Sequence, residues 1–194
     1  MIQNLVSSLI NENIKVKKNM LKCEQIECIF NIAEKIVETY KNKNKVIICG
    51  NGGSASDALH FSAEMLVKFE KEREPLTVVT LSENVPAITA IGNDLGYDYI
   101  FSRQLEAFAN KNDIFIAIST SGNSLNVIRA LESAKNLKLF KIGMTGFVGG
   151  ELKNMCDICY CAPSKITARI QECHILVIHI VAKIIEEELF GYRL

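Results

Sequence analysis

The chain has 194 residues, of which 48% are hydrophobic, enough for one domain with a complete buried core. Lys plus Arg and Asp plus Glu both number 22, so the formal net charge is zero, which argues against a nucleic-acid-binding or membrane-surface protein. We find neither a signal peptide nor an apolar run long enough to span a bilayer. The seven cysteines are odd in number and mostly lie in apolar patterns, so we expect reduced thiols in a cytoplasmic protein.

Residues 1–43 predict helix throughout, because apolar residues recur at helical spacing from Leu5 to Tyr40. A helical segment of this length before the first strand has little to pack against within one chain. Two interpretations stay open here. The segment forms either two helices folded against the domain or, as we favour, part of a bundle between subunits.

From Lys45 onward, strand and helix patterns alternate. Strands are predicted at 45–49, 76–81, 113–118, 138–144 and 157–161, and helices at 54–70, 85–92, 98–110, 123–136 and 167–190. Several strands are continuous apolar runs, which is typical of a parallel sheet buried on both faces. We therefore expect a single α/β domain over 1–194, with a helical arm at 1–43 and a sheet core at 44–194.

Ligands of such folds bind at the carboxyl ends of the strands, which directs attention to the loops after Cys49, Leu81, Ile118 and Met144. The first of these loops runs from Gly50 through Asn51, Gly52 and Gly53 to Ser54 and opens a helix. Glycines let the backbone approach a ligand, and the helix start offers free N–H groups to an anion. The loop matches neither a Walker A sequence nor GxGxxG, so an ordinary strand-to-helix turn is the alternative.

A second loop carries a run of hydroxyl side chains directly after the apolar strand 113–118. Its residues are Ser119, Thr120, Ser121, Gly122, Asn123 and Ser124. Hydroxyls and backbone N–H groups can bind a phosphate without Lys or Arg. One helix cap needs only one such residue, and the run exceeds that need, so we favour phosphate binding over capping alone.

Two helices carry candidate acid, base or metal-binding groups. His60 and Glu64 are four residues apart and therefore share a helix face. The C-terminal helix carries both His174 and His179, and spacing alone does not choose between them. Asp94 belongs to a third candidate element, Gly92-Asn93-Asp94, but, taken alone, a helix end and turn is the favoured interpretation of it.

Three cysteines near the C-terminal third, Cys156, Cys159 and Cys161, resemble part of a zinc knuckle. No second pair of Cys or His stands at the spacing needed to complete four ligands. We interpret these cysteines as strand and loop residues.

Taken together, these segments resemble the sugar isomerase (SIS) superfamily and, within it, are similar to the bacterial phosphoheptose isomerases. The resemblance covers nearly the whole chain, and its motifs are CGNGGSASDALHFSAE, AIGNDLGYDYIFSRQLEA, ISTSGNSLNVIRAL, TGFVGGEL and PSKITARIQECHILVIHIVAKIIE. The last motif is the most specific, because general SIS domains lack it.

The resemblance implies a flavodoxin-like three-layer sandwich with a five-stranded parallel sheet. It also implies a homotetramer with active sites between subunits and N-terminal helices in its core. The implied reaction is conversion of D-sedoheptulose 7-phosphate, a sugar phosphate, to D-glycero-D-manno-heptose 7-phosphate. This isomerisation opens heptose synthesis for lipopolysaccharide, capsule or surface-layer glycans.

The resemblance further implies one zinc ion per subunit, held by His60, Glu64, Gln171 and His179, with Glu64 and His179 as base and acid. Gln171 and His179 lie eight residues apart, roughly 12 Å along a helix, so whether one subunit supplies both stays open. The implied substrate contacts are Asn51, Gly52, Gly53, Ser54, Glu64, Asn93, Asp94, Ser119, Thr120, Ser121, Ser124 and Gln171.

A similar branch of the superfamily binds the replication initiator DnaA and is not known as an isomerase. It departs from the isomerases at the positions of Glu64 and His179, and it carries a charged residue in place of Ser121. This chain retains all three residues. The resemblance therefore favours an enzyme, with a non-catalytic partner-binding tetramer as the alternative.

Overall fold

The computed structural model describes residues 2–191, so Met1 and residues 192–194 of the predicted domain lie outside it. Its helices are α1 (Ile2–Asn19), α2 (Cys23–Lys41), α3 (Gly53–Leu66), α4 (Val85–Asp94), α5 (Ser102–Phe108), α6 (Leu125–Asn136), α7 (Gly150–Met155) and α8 (Thr167–Phe190). Its strands are β1 (Val46–Gly50), β2 (Val78–Thr80), β3 (Ile114–Ile118), β4 (Phe140–Thr145) and β5 (Ile158–Cys161).

All five strands form one parallel sheet in the order β2-β1-β3-β4-β5. This is the flavodoxin-like order, so the predicted fold class is confirmed. Every residue of β1 and of β3 is buried, which explains why these strands are continuous apolar runs in the sequence.

Alternate residues of the strands pack into two separate cores, one on each face of the sheet. Ile48 and Ile116 face a core shared with α2, α3 and α8, whereas Ile47 and Phe115 face a core shared with α5, α6 and α7. The protein is therefore a three-layer sandwich. Because α3 and α8 lie on the same face and each follows the carboxyl end of a strand, both run away from that edge of the sheet.

The helix predicted at 54–70 ends earlier, at Leu66. The physical reason is competition for hydrogen bonds after the last turn. The Arg73 guanidinium donates to the carbonyl oxygens of Glu64 and Met65, and the Glu186 carboxylate accepts from backbone N–H groups that a longer helix would use internally.

The single helix predicted at 98–110 is also wrong. The chain forms a short 3₁₀ turn at Tyr97–Tyr99 and then the shorter helix α5. The Asp113 carboxylate accepts from the backbone N–H of Asn110 and of Lys45, and this contact turns the chain from α5 into β3. The short helix α7 was not predicted, because two glycines with positive φ, Gly149 and Gly150, open it.

The predicted N-terminal helical segment is two helices, with a break at Met20–Lys22. None of the residues of α1 is buried, and its large apolar side chains are exposed except that of Val16, which packs partly against the core. Within residues 2–191, we find no helix whose length and apolar character would let it cross a membrane.

Candidate active site

The first candidate loop joins β1 to α3 at the carboxyl edge of the sheet. Gly52 has a positive φ of 54° and precedes the first helical residue, Gly53. Both glycines are exposed at the helix start, as an anion site requires. Ser54, by contrast, is buried, and its backbone carbonyl and Cβ pack against Gly50.

The Asn51 side chain connects this loop to the neighbouring one. Its amide exchanges two hydrogen bonds with the Asn126 amide of α6, at 2.8 and 2.9 Å. The hydroxyl of Tyr97 also donates to Asn51 Oδ1 at 3.2 Å. Sequence reasoning missed Asn126 and Tyr97, although an asparagine two residues after a hydroxyl-rich loop was a signal for the former. The Asn51 side chain thus holds the two loops together.

The hydroxyl loop lies at the end of β3 and opens α6. Ser119 Oγ lies 3.0 Å from Ser124 Oγ and 3.5 Å from Ser121 Oγ, so three hydroxyls converge. Among residues 2–191, the backbone N–H groups of Thr120 and Ser121 donate to no protein acceptor. Together with the start of α6, these donors form a site of the kind that binds a phosphate.

A glycine is required at the centre of the hydroxyl loop. Gly122 has φ of 70°, and a Cβ on it would lie 2.1 Å from the Gly149 carbonyl oxygen. The Gly122 carbonyl accepts from Leu152 N–H, and Glu151 N–H donates to Asn123 Oδ1. The start of α7 therefore braces this loop from one side.

The predicted substrate contacts Asn93 and Asp94 lie in the last turn of α4, where both are exposed. Their recorded side-chain hydrogen bond is to each other, from Asn93 Nδ2 to Asp94 Oδ1 at 2.7 Å. The segment after α4 instead reaches the first loop through Tyr97.

A cluster of three side chains forms where α3 lies beside α8. His60 Nε2 lies 2.9 Å from Glu64 Oε1 and 3.3 Å from His179 Nε2. The ligating atoms of the three residues all lie within 4.8 Å of one another. The predicted i, i+4 pair on α3 is therefore completed by a residue about 120 positions away in sequence.

The structure also separates the two histidines of α8. His174 is fully buried, and its Nε2 lies 3.1 Å from the Thr145 carbonyl oxygen. A carbonyl only accepts, so Nε2 carries the proton and donates. Burial lowers the pKa of His174 to about 4, which keeps the ring neutral. His179 is thus the histidine at the site, and His174 belongs to the core.

The amide of Gln171 lies at the other end of the α3–α8 contact. A Cβ placed on Gly53 would lie 2.3 Å from Gln171 Nε2, so the amide rests on the start of α3. Gly53 precedes His60 by seven residues, roughly 10 Å along the helix. Within one chain, Gln171 is therefore not brought to the three-residue cluster, and its predicted role as a fourth ligand stays a prediction.

Asp57 lies on α3 between the Gly53–Gln171 contact and the three-residue cluster, one turn before His60. Its Oδ2 is buried and has no hydrogen-bond partner among the described residues. Burial raises the pKa of Asp57 to about 6, although His60 lowers it in part. Sequence reasoning passed over this residue, and its i, i−3 spacing from His60 was the available signal.

Comparison with known proteins gives concordant results. A protein-family profile described as SIS domain matches residues 11–146. The phosphoheptose isomerase of Clostridium acetobutylicum is 45% identical over 193 residues, covering 99% of this chain and 98% of its own length.

Solved structures give the same result. The phosphoheptose isomerase of Neisseria gonorrhoeae superposes with a TM-score of 0.91 at 39% identity, over 96% of this chain and 100% of that one. The phosphoheptose isomerase of Francisella tularensis superposes with a TM-score of 0.93 at 37% identity, over 96% and 99% of the two chains.

Proposed function

The chain belongs to the SIS domain family and, within it, to the phosphoheptose isomerases, and we propose that it converts D-sedoheptulose 7-phosphate to D-glycero-D-manno-heptose 7-phosphate. This aldose–ketose isomerisation is the first step towards heptose precursors of lipopolysaccharide, capsule or surface-layer glycans. The observation that carries the proposal is the convergence of His60, Glu64 and His179 in a chain that matches a phosphoheptose isomerase over 98% of that enzyme's length. The helix that carries His60 and Glu64 begins at the first candidate loop, and the hydroxyl loop follows the neighbouring strand.

The hydroxyl loop binds the phosphate of the substrate. The converging hydroxyls of Ser119, Ser121 and Ser124 and the free N–H groups of Thr120 and Ser121 support this assignment. Binding energy from this remote group positions the reacting end of the sugar. Variants of the loop therefore raise KM more than they lower kcat.

Isomerisation moves a proton between C1 and C2 through an enediol, so it needs a base for carbon and an acid for oxygen. Glu64 takes the C1 proton of the open-chain ketose and returns it at C2. His179 carries the oxygen-bound proton. The support is that Glu64 and His179 both meet His60 at the partly exposed face between α3 and α8.

Two imidazole nitrogens and a carboxylate oxygen form a donor set that suits zinc, so the residues fit the ion that the family resemblance implies. His60, Glu64 and His179 would hold it, one ion per subunit, with Gln171 as a proposed fourth ligand. When bound, zinc supplies Lewis-acid stabilisation of negative charge on the sugar oxygens.

The protein assembles as a homotetramer, with active sites at subunit interfaces and the N-terminal helices in an inter-subunit bundle. The support is the exposed apolar face of α1, which has no buried residue of its own. Its large exposed apolar residues are Ile2, Leu5, Val6, Leu9, Ile10 and Ile14. An apolar face of this kind is typical of a helix that packs against another subunit.

The test is turnover of sedoheptulose 7-phosphate by purified protein, before and after chelator treatment and again after zinc is restored. Loss and recovery of the manno-heptose 7-phosphate product supports both the reaction and the metal. Turnover that persists in protein shown by elemental analysis to be metal-free keeps the isomerase and rejects zinc. A folded, zinc-loaded protein without turnover rejects the proposal and favours the partner-binding alternative.

A further inference from the structure

A fully buried ion pair lies just outside the proposed site. The side chains of Arg73 and Glu186 are both 0% exposed, and Arg73 Nε donates to Glu186 Oε1 at 2.9 Å. The backbone N–H groups of Phe69, Glu70 and Lys71 also donate to the Glu186 carboxylate, at 2.8 to 2.9 Å. Burial raises the pKa of Glu186, but these hydrogen bonds outweigh it and hold the pKa below its ordinary value. The carboxylate thus fixes the loop that follows α3.

The other end of the ion pair reaches the backbone of the proposed base. Arg73 Nη2 donates to the carbonyl oxygen of Glu64 at 2.6 Å, and Nη1 donates to that of Met65 at 2.8 Å. These carbonyls lie in the last turn of α3, where helical partners run out. The guanidinium therefore ends α3 and fixes the main chain at Glu64.

The loop held by Glu186 also contacts the proposed acid. Phe69, whose N–H is bound by Glu186, stacks its ring on His179 with centroids 5.7 Å apart and planes at 28°. His179 in turn meets His60, with ring centroids 5.0 Å apart and the two Nε2 atoms 3.3 Å apart. The ion pair thus connects to Glu64 through Arg73 and to His179 through Phe69.

We propose that Arg73 and Glu186 are positioning residues for the isomerase reaction, which set Glu64 and the Phe69–His179 stack in register with each other. This inference rests on the proposed function for its kinetic part only. A buried ion pair is weak evidence for a stabilising role, because apolar residues of similar volume often serve as well. Here, however, hydrogen bonds of the pair hold the backbone of Glu64, the proposed base, and of Phe69, whose ring stacks on the proposed acid His179.

The experiment uses the full chain and variants of Arg73, Phe69 and Leu105. Arg73→Gln removes the fork that reaches Glu64, and Arg73→Lys keeps the charge with fewer hydrogen bonds. Phe69→Leu removes the ring and leaves the ion pair. Leu105→Ala is the matched control, because Leu105 is fully buried in the core on the opposite face of the sheet and its truncation lowers stability without touching the loop.

The first readout is the proton NMR spectrum of the histidine rings without substrate. The chain has three histidines, so the His179 signal is assignable by loss in His179→Gln. Stacking by Phe69 gives His179 a ring-current shift, which Phe69→Leu abolishes. Arg73→Gln should lose the same shift, Arg73→Lys part of it, and Leu105→Ala none of it.

The second readout is steady-state kinetics. In Arg73→Gln we expect kcat to fall about ten- to a hundred-fold, as for other groups that orient reacting side chains, with KM nearly unchanged. In the double variant Arg73→Gln/Phe69→Leu, kcat should fall by less than the product of the two single falls. The reason is that both substitutions act partly through the position of the Phe69 ring. Leu105→Ala should keep the kcat of the natural chain even where it loses as much thermal stability as Arg73→Gln.

An unchanged His179 signal in folded Arg73→Gln, or an equal fall of kcat in Leu105→Ala, would overturn the proposal. If Arg73→Gln does not fold, Arg73→Lys takes its place, and the same two outcomes decide. If the natural chain itself does not convert the sugar phosphate, the proposed function fails, whereas the ring signal, read without substrate, still decides the positioning role.

Discussion

The hydroxyl loop and the cluster of His60, Glu64 and His179 are built in opposite ways. The loop is a short continuous segment whose hydroxyls contact one another at the end of one strand, braced by the start of α7. The cluster joins residues of two helices that are far apart in sequence, and the His60 side chain is 45% exposed. The first region depends on local sequence, and the second depends on how α3 packs beside α8.

This difference predicts different responses to substitution. Changes in the loop should weaken substrate binding, because the proposed function assigns to it the phosphate, the part of the sugar that does not react. Changes in the cluster should reduce turnover, because the proposed function assigns to it the base and the acid of the reaction. Substitutions away from both regions, and away from Arg73, Glu186 and Phe69, should change stability and leave both kinetic constants unchanged.

The largest effect is expected for Glu64→Gln, which removes the proposed base while keeping its size. We expect kcat to fall about 10²- to 10⁴-fold, because general-base catalysis contributes that much. The measurement is steady-state turnover, with circular dichroism as a check of the fold. Glu72→Gln is the matched control, since Glu72 is an exposed carboxylate that pairs with Lys68 near the same helix. Normal turnover by Glu64→Gln would remove Glu64 as the base.

His174 sharpens the comparison, because it shares α8 with His179 but lies in the core. Its folded pKa, about 4, is below the ordinary 6.5, so the unfolded state binds more protons between these values. Stability should therefore be complete above about pH 6.5 and fall as the pH drops towards 4, by about 3 kcal/mol. Denaturant unfolding at several pH values measures this slope.

In His174→Gln the pH dependence between 6.5 and 4 should be weaker by about that amount, because glutamine does not titrate. Its amide can still donate to the Thr145 carbonyl, as Nε2 does. KM and kcat at neutral pH should stay close to those of the natural chain. An equal pH slope in both proteins would mean that His174 titrates alike in the folded and unfolded states.

A smaller effect is expected for the double variant Ser121→Ala/Ser124→Ala. KM should rise roughly tenfold, equal to about 1.4 kcal/mol, because the double variant keeps the backbone N–H groups of the proposed phosphate site. Ser133→Ala is the control. Ser133 also lies on α6, but its hydroxyl donates to the Glu106 carboxylate and not into the hydroxyl loop. A KM unchanged from that of the control would move the phosphate site away from this loop.

The smallest effect is expected for a substitution of Lys138, which lies at the amino-terminal ends of the strands, far from both regions. Lys138 follows α6 with φ of 57°, a left-handed conformation that favours glycine. Lys138→Gly should raise the free energy of unfolding by about 0.5–1 kcal/mol, with unchanged kinetics. Lys138→Ala, which removes the same charge but keeps Cβ, should give no such gain. Thermal unfolding of the three proteins measures the difference.

Much of the architecture could be predicted from the sequence. The continuous apolar runs at 113–118 and 45–49 indicated buried parallel strands, and both lie in the centre of the sheet. Helix 167–190 was predicted with the bounds that the structure has, because its apolar periodicity is long. His60 and Glu64 were placed together, since i, i+4 spacing on a helix is a local property.

Other features were decided only by the tertiary structure, since they depend on contacts between residues distant in sequence. Spacing could not choose between His174 and His179; packing against Thr145 places the first in the core, and packing of α8 against α3 brings the second to His60. Likewise, α3 ends at Leu66 because Arg73 and Glu186, one of them from α8, take over its hydrogen bonds. Local periodicity carries no information about such partners. The sequence by itself therefore determined the fold class and the position of the hydroxyl loop at the end of a strand. Packing of the helices decided which side chains join His60 and Glu64.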